Sequence, residues 1–303
     1  MSASGKIPIS NQQIVIFLHI PKTAGTTLYQ IVNRHYQKKD IYTIWQDGTL
    51  DEFKNLDNSR KSQIRLLRGH AGFGMDKYLP KPAVYFTLLR EPIERTISYY
   101  HFVRRTPAHY SYEQVTSGDM SLGEFIESRI DRMLDNGQTR LLAGLETGHE
   151  LAFGECTEEL LEIAKRNLRE NMAVVGLTEE FDATLLLLKR AFGWHRLFYT
   201  RENVSSKRLR EAELQTTLNT IIETNQLDIE LYQYATTLFE EQIHQQGDQF
   251  INQVKSFQKT NRLLAPFVSL RLGIRRTSSA VYWRIRSTSL SELTRKLLHR
   301  AFR

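Results

Sequence analysis

Cysteine is almost missing from this chain: Cys156 stands alone among 303 residues. A single thiol excludes an internal disulfide framework and a cysteine-rich zinc site. Long apolar runs are missing too. No stretch of about 18 apolar residues occurs, so nothing in the sequence reads as a membrane-spanning helix. The opening MSASGKIPIS is short and polar, without an apolar signal core. With 7 Pro and 16 Gly among the 303 residues, the composition is neither collagenous nor low in complexity. These absences lead us to expect a folded protein in a reducing, cytoplasmic setting. Acids are scarce in one place only. Residues 261–303 hold nine Arg and one Lys against Glu292, a net of +9, which leaves the first 260 residues at −2 of the chain's +7. The basicity belongs to the tail, and a nucleic-acid surface covering the whole fold is not supported. We therefore divide the chain into a domain over 1–260 and a basic extension over 261–303.

What is present alternates between two periods. Residues 14–20 (IVIFLHI) form a short apolar run rich in β-branched side chains, the mark of a buried strand. Residues 64–67, 83–89 and 173–177 read as further strands, and 196–200 as a fifth. Helical spacing runs over 27–38, 92–104, 122–134, 158–170, 179–192 and 210–244. Strands alternating with helices predict an α/β fold, a parallel sheet with helices on both faces.

Three segments carry chemistry. His19-Ile20-Pro21-Lys22-Thr23-Ala24-Gly25-Thr26-Thr27 lies where a strand hands over to a helix. Backbone N–H groups and the helix dipole favour an anion at such a turn. Lys22 adds a charge, and Thr23, Thr26 and Thr27 add hydroxyls. The pattern G-x-x-x-x-G-K-[ST] is absent, so on spacing alone the segment reads equally as an ordinary turn with a surface lysine. Arg90-Glu91-Pro92-Ile93-Glu94-Arg95 follows another strand, with Ser98 two helical turns on. An arginine at a parallel strand's carboxyl end faces the crevice where such sheets bind ligands, and its planar fork suits a phosphate. A structural pairing of Arg90 or Arg95 with Glu91 or Glu94 reads as well. His70, in Arg68-Gly69-His70, ends a third strand. A histidine there is either a general base or structural. No set of His, Asp and Glu has metal-ligand spacing.

The segments HIPKTAGTTL, RGH, LLREPIERTISYYHFVRR and VVGLTEEFDATLLLLKRAFG, in this order and spacing, resemble the family-2 carbohydrate sulfotransferases. That family includes heparan sulfate and dermatan/chondroitin 2-O-sulfotransferases and many bacterial members. The resemblance covers roughly residues 14–245. It implies a P-loop-like α/β sandwich that transfers sulfuryl from 3′-phosphoadenosine 5′-phosphosulfate (PAPS) to a hydroxyl of a carbohydrate or glycoconjugate, without a metal. By position, Lys22, Thr23, Ala24, Gly25, Thr26 and Thr27 resemble the loop that cradles the donor's 5′-phosphosulfate. Arg90 and Ser98 resemble the pair on its 3′-phosphate, and His70 resembles the base. Ser205, in Asn203–Arg208, resembles part of a loop that closes over the nucleotide. Asp135-Asn136-Gly137-Gln138-Thr139-Arg140 is similar to a segment of bacterial relatives that either faces the acceptor or caps a helix. Gly25 stands where the animal enzymes have serine, and Glu91 where they have aspartate.

The resemblance makes residues 1–260 a sulfotransferase domain, with Lys22 and His70 as its catalytic pair. Two other readings stand beside it: a P-loop-like nucleotide-dependent kinase, which lacks the G-K-[ST] lysine and clear magnesium carboxylates, and a catalytically silent nucleotide- or glycan-binding protein. In the tail, Ser289-x-x-Glu292 is a capping box. On a helix, Leu290, Leu293, Leu297, Leu298 and Ala301 share one side, and Arg295, Lys296, His299, Arg300 and Arg303 the other. Such a basic amphipathic helix lies on an anionic membrane, packs its apolar face on its own domain, or collects an anionic glycan acceptor on its basic face.

Overall fold

The computed structural model describes residues 13–200 except 46, and 211–265 with 268. Five strands are present among them: β1 Ile14–Leu18, β2 Ile41–Ile44, β3 Leu66–Gly69, β4 Ala83–Leu89 and β5 Met172–Leu177. They form one parallel sheet in the order β2-β3-β1-β4-β5. The expected α/β class holds. β1 is central and buried along its whole length, as its unbroken apolar run requires. Leu18 pairs with Gly69 and Thr87, Ile44 with Gly69, and Leu89 with Leu177, so all five carboxyl ends open on one edge.

The order of the strands locates the crevice. From β1 the chain moves to β2 and β3, then passes back across β1 to β4 and β5. Connections leaving β1 and β4 therefore run in opposite directions, and the carboxyl ends of these two strands form the switch point where open α/β sheets hold ligands.

The helices follow their local signals. Glu91 caps the Pro92–Val103 helix, its carboxylate accepting from Ile93 N (3.1 Å) and Glu94 N (2.7 Å), with proline in the first turn. The Glu158–Asn171 helix buries Leu161, Ala164, Asn167 and Leu168, one face of a 3.6-residue repeat. Several sequence expectations differ from the structure. The helix expected over 27–38 is Gly25–Val32. The one over 122–134 stops at Glu127 and resumes as a 3-10 turn at Arg132–Leu134. The one over 210–244 is two helices, Glu211–Thr224 and Gln226–His244. Residues 196–200 form no strand; Arg34 donates to the Arg196 and Phe198 carbonyls in place of a neighbouring strand. β2 was not expected at all. Residues 249–265 are helical, so the helix runs past residue 260. Ser205 and the amphipathic segment 287–303 lie outside the described residues.

Candidate active site

The turn after β1 is wound tightly. Lys22 (φ 75°) and Ala24 (φ 63°) both occupy the left-handed region, which costs a non-glycine residue on the order of 1–3 kcal/mol. Thr23 between them is buried and donates its hydroxyl to the Ile20 carbonyl at 2.9 Å, so that proton serves the turn. The Gly25–Val32 helix starts from Ala24 without a side-chain cap. Its first N–H groups have no carbonyl within the helix to meet. Thr26 is exposed and Thr27 buried on this first turn.

Gly25 is required by its neighbour. A Cβ there would fall within the His19 imidazole, 2.6 Å from Cδ2 and nearer still to Nε2 and Cε1. His19 itself is buried and shares a 2.9 Å hydrogen bond with the Tyr29 hydroxyl through Nδ1. Its ring centre lies 4.5 Å from that of His70. Burial first, then the charges of His70, Lys22 and Arg68, hold its pKa well below the ordinary imidazole value.

His70 follows β3 directly. Its backbone N–H donates to the Ile44 carbonyl at 3.0 Å. Gly69 permits this close approach: its φ is +139°, and a Cβ would meet the Ile44 backbone, 2.7 Å from both N and C. His70 Nδ1 lies 3.0 Å from the His19 carbonyl oxygen. A carbonyl only accepts, so Nδ1 carries the proton and Nε2 keeps its lone pair for another group. Burial, and after it the Lys22 charge, lower the His70 pKa, against a raising effect of the hydrogen bond to His19. The neutral, basic form is therefore favoured.

Cations gather opposite. Lys22 Nζ lies 4.5 Å over the Phe102 ring. Burial, then the Arg105 and Arg90 guanidinium groups, bring its pKa down to about 8. Arg90 Nη1 donates to the Lys22 carbonyl at 3.4 Å, and Nη2 pairs with Glu94 at 3.2 Å. The structural pairing therefore exists, and it holds Arg90 against the turn. Ser98 is half-buried on the Pro92–Val103 helix, four residues from both Glu94 and Phe102 and thus on the face that meets Arg90 and Lys22.

The segment Asp135–Arg140 serves the interior. Asp135, Asn136, Gln138, Thr139 and Arg140 are all buried. Arg140 binds Asp135 and the carbonyls of Gly148, Leu151 and Ala152. Asp228 accepts from Gln138 N (3.1 Å), Thr139 N (2.7 Å) and Thr139 Oγ1 (2.9 Å), and lies 3.6 Å from Arg95. Gln138 then clasps the Arg90 backbone from both sides, accepting from its N at 3.0 Å and donating to its O at 2.9 Å. Asn136 Oδ1 in turn accepts from Asp228 N at 3.0 Å, in the first turn of the Gln226–His244 helix, so of the two readings of this segment the structure supports the helix-capping one. Arg95, buried against Asp228, is structural as well.

Lys22, Gly25, Thr26, Thr27, Arg90, Ser98 and His70 thus converge on one sheet edge. His19, Arg105 and Gln138 join them without having been singled out. His19 carried a signal, since it begins the HIPKTAGTT motif. Gln138 lay in the Asp135–Arg140 segment, but its hold on the Arg90 backbone carried no signal, because it depends on Asp228, 90 residues away.

A model of the galactose-3-O-sulfotransferase family matches residues 2–268. The chain belongs to this family. It is 28% identical over 290 residues to heparan-sulfate 6-O-sulfotransferase 2 of Danio rerio, covering 76% of this chain and 59% of that one. To heparan-sulfate 6-O-sulfotransferase 1 of Homo sapiens it is 29% identical over 293 residues, covering 80% and 69%. The chain therefore spans well under the full length of these relatives. Among solved structures, mouse sulfotransferase SULT7A1 complexed with PAP (3′-phosphoadenosine 5′-phosphate) aligns over 72% of this chain and 68% of that one. That likeness, with a TM-score of 0.36 and 13% identity, is too loose to argue from. The family membership rests on the galactose-3-O-sulfotransferase model.

Proposed function

We propose that this chain transfers the sulfuryl group of PAPS to a hydroxyl of a galactose-containing glycoside. The observation that carries the reading is the pairing at one sheet edge of a cation group (Lys22, Arg90, Arg105) with an imidazole whose Nδ1 proton is engaged and whose Nε2 is available. Sulfuryl transfer resembles phosphoryl transfer, in which the protein mainly positions the groups in line and stabilises charge. Lys22 and the Gly25–Thr27 amides neutralise charge on the bridging oxygen as the S–O bond breaks. Arg90 and Ser98 hold the 3′-phosphate. His70 Nε2 takes the acceptor's proton as its oxygen bonds to sulfur. This chemistry needs no metal carboxylates, which sets it apart from a kinase.

Galactose is favoured by the family whose model spans nearly the whole described chain. The test is transfer from labelled PAPS to a panel of lactose, chondroitin and unsulfated heparan oligosaccharides, with mass spectrometry of the product. Label on a galactose hydroxyl supports the proposal. Label on heparan at O6, as the relatives' names describe, or at O2, as the motifs resemble, overturns the acceptor assignment and leaves the reaction standing. Stabilisation by ATP but not by PAP in a thermal melt would favour the kinase.

We further propose a cytoplasmic location and a contact of the basic tail with anionic membrane. A chain ending after residue 268 should keep PAP binding and lose co-sedimentation with anionic vesicles. The cut is set there because Asn261 Oδ1 accepts from Tyr199 N at 2.9 Å and belongs to the domain. If the shortened chain still sediments, the tail is not the membrane contact.

A further inference from the structure

The donor side of the crevice is crowded with charge, whereas the side beyond His70 presents an aromatic ring. Trp45 follows β2 directly, so it stands on the same carboxyl edge as His19, His70 and Arg90. It is 52% exposed. A lone exposed aromatic means little in itself, but this one is tied to the reacting centre by consecutive contacts. Its ring packs edge-to-face with Tyr29 at 5.7 Å and 83°. Tyr29 bonds His19, whose ring adjoins that of His70. On the backbone, the carbonyl of the preceding residue, Ile44, receives the His70 N–H. Trp45 N donates to Thr49 Oγ1 at 2.8 Å, which holds the residue's own backbone. Behind Tyr29, the Arg68 guanidinium lies 4.2 Å from its ring centre and is anchored to Thr43 and Asn33. The ring is thus supported from below and wet above.

We propose that Trp45 is the platform on which the acceptor sugar stacks, setting the acceptor hydroxyl before His70 Nε2. The inference rests on the sulfotransferase reading and assigns that site its acceptor subsite. An indole face is electron-rich, and the C–H groups of a pyranose are weakly positive, so the two attract as aromatic edges and faces do. Galactose suits such a platform. Its axial 4-hydroxyl leaves the hydrogens on C3, C4 and C5 together on one uninterrupted apolar face. Charge on the acceptor is not what this rim selects. Lys54 and Lys77, the cations by the loop that follows His70, are both paired with Glu146, which also accepts from Tyr78 at 2.8 Å.

The test is steady-state kinetics of Trp45→Ala and Trp45→Phe with lactose as acceptor and PAPS as donor. Trp45→Ala should raise the acceptor KM by about three- to tenfold, the range of a single aromatic contact, and leave the PAPS KM unchanged. Trp45→Phe should restore most of the affinity. Of the three tryptophans, Trp194 is buried, so lactose should quench part of the emission of the PAP-bound wild type, and that part should be missing from Trp45→Phe. An unchanged acceptor KM in an active Trp45→Ala enzyme overturns the platform and leaves the reaction intact. So does a loss of PAP-induced thermal stabilisation in step with activity, which would make Trp45 a support of the donor site. A wild-type protein that neither binds PAP nor sulfates any sugar overturns the underlying reading, and this inference with it.

Discussion

Replacing Gly25 with alanine puts a methyl group inside the His19 imidazole. The ring has to leave. It then loses its hydrogen bond to Tyr29, its stacking on Phe17 at 5.2 Å and its contact with His70. Overpacking of a buried site costs roughly 1–3 kcal/mol, and the lost hydrogen bond about 1 kcal/mol more. Alanine's advantage over glycine at a helix start returns at most about 1 kcal/mol. The net cost is about 2 kcal/mol. For a domain of this size that lowers Tm by roughly 4–8 °C. The decisive experiment is a double-mutant cycle with His19→Ala. Removing the ring empties the space that the new methyl needs, so Gly25→Ala should be nearly neutral in that background. A favourable coupling of at least about 1.5 kcal/mol is expected, within the range for residues in direct contact. Urea or thermal unfolding of the four proteins measures it. Additive effects would refute the argument that His19 is what keeps residue 25 a glycine. PAP binding should follow the same cycle, because the displaced ring is driven from the floor of the anion turn.

Three further outcomes are expected. Lys22→Ala should lower kcat by ~10²–10³ with Tm little changed, since the role proposed for the lysine is to act on charge that develops in the transition state; wild-type turnover would remove it from the mechanism. Arg90→Ala should weaken PAP binding far more than AMP binding, which lacks the 3′-phosphate, and calorimetry showing equal losses would contradict that assignment. The pH profile of kcat/KM should be bell-shaped. Activity rises as His70 loses its proton, at a pH below the ordinary value of ~6.5 because the folded protein favours the neutral ring. It falls again near pH 8 as Lys22 loses its charge, and bound donor should shift this limb upward in kcat. An acid limb above pH 6.5 would exclude His70 as the base.

The parts of the molecule that were legible in the sequence are those set by local chemistry. The β1 run, the Glu91-Pro92 helix start and the ends of β4 follow from adjacent residues. β2 escaped because it is a four-residue edge strand with only Ile44 buried, too short and too wet for an apolar run. The first helix ends at Val32, short of residue 38, because the chain turns so that His35 stacks on Trp194 at 5.5 Å, a contact some 160 residues away. Residues 196–200 do alternate, with Leu197 and Tyr199 buried, but Arg34 satisfies their carbonyls where a strand would. In the site, Lys22, Arg90 and His70 were readable because their positions at strand ends follow from pattern. Arg105 and Gln138 were not, because they depend on how helices pack.

That difference bears on how the site works. A reaction in which the protein does little covalent work depends on where groups are held. Each group assigned a role in the proposed reaction is held by a hydrogen bond made outside the group itself. The His70 imidazole is fixed by the His19 carbonyl, and its main chain by Ile44. Arg90 is fixed through Gln138, which Asp228 anchors from the Gln226–His244 helix. Lys22 is carried on a strained turn whose middle residue, Thr23, is tied to Ile20. The side chains proposed to meet substrate should be exchangeable with the fold intact. The carbonyls, amides and buried carboxylate that aim them should not, since each is a buried polar group whose partner is part of the core, and leaving one unpaired costs roughly 1–3 kcal/mol. The motif residues are therefore the visible end of a network, and the specificity of the turn after β1 lies as much in the His19–Gly25 contact beneath it as in the lysine above.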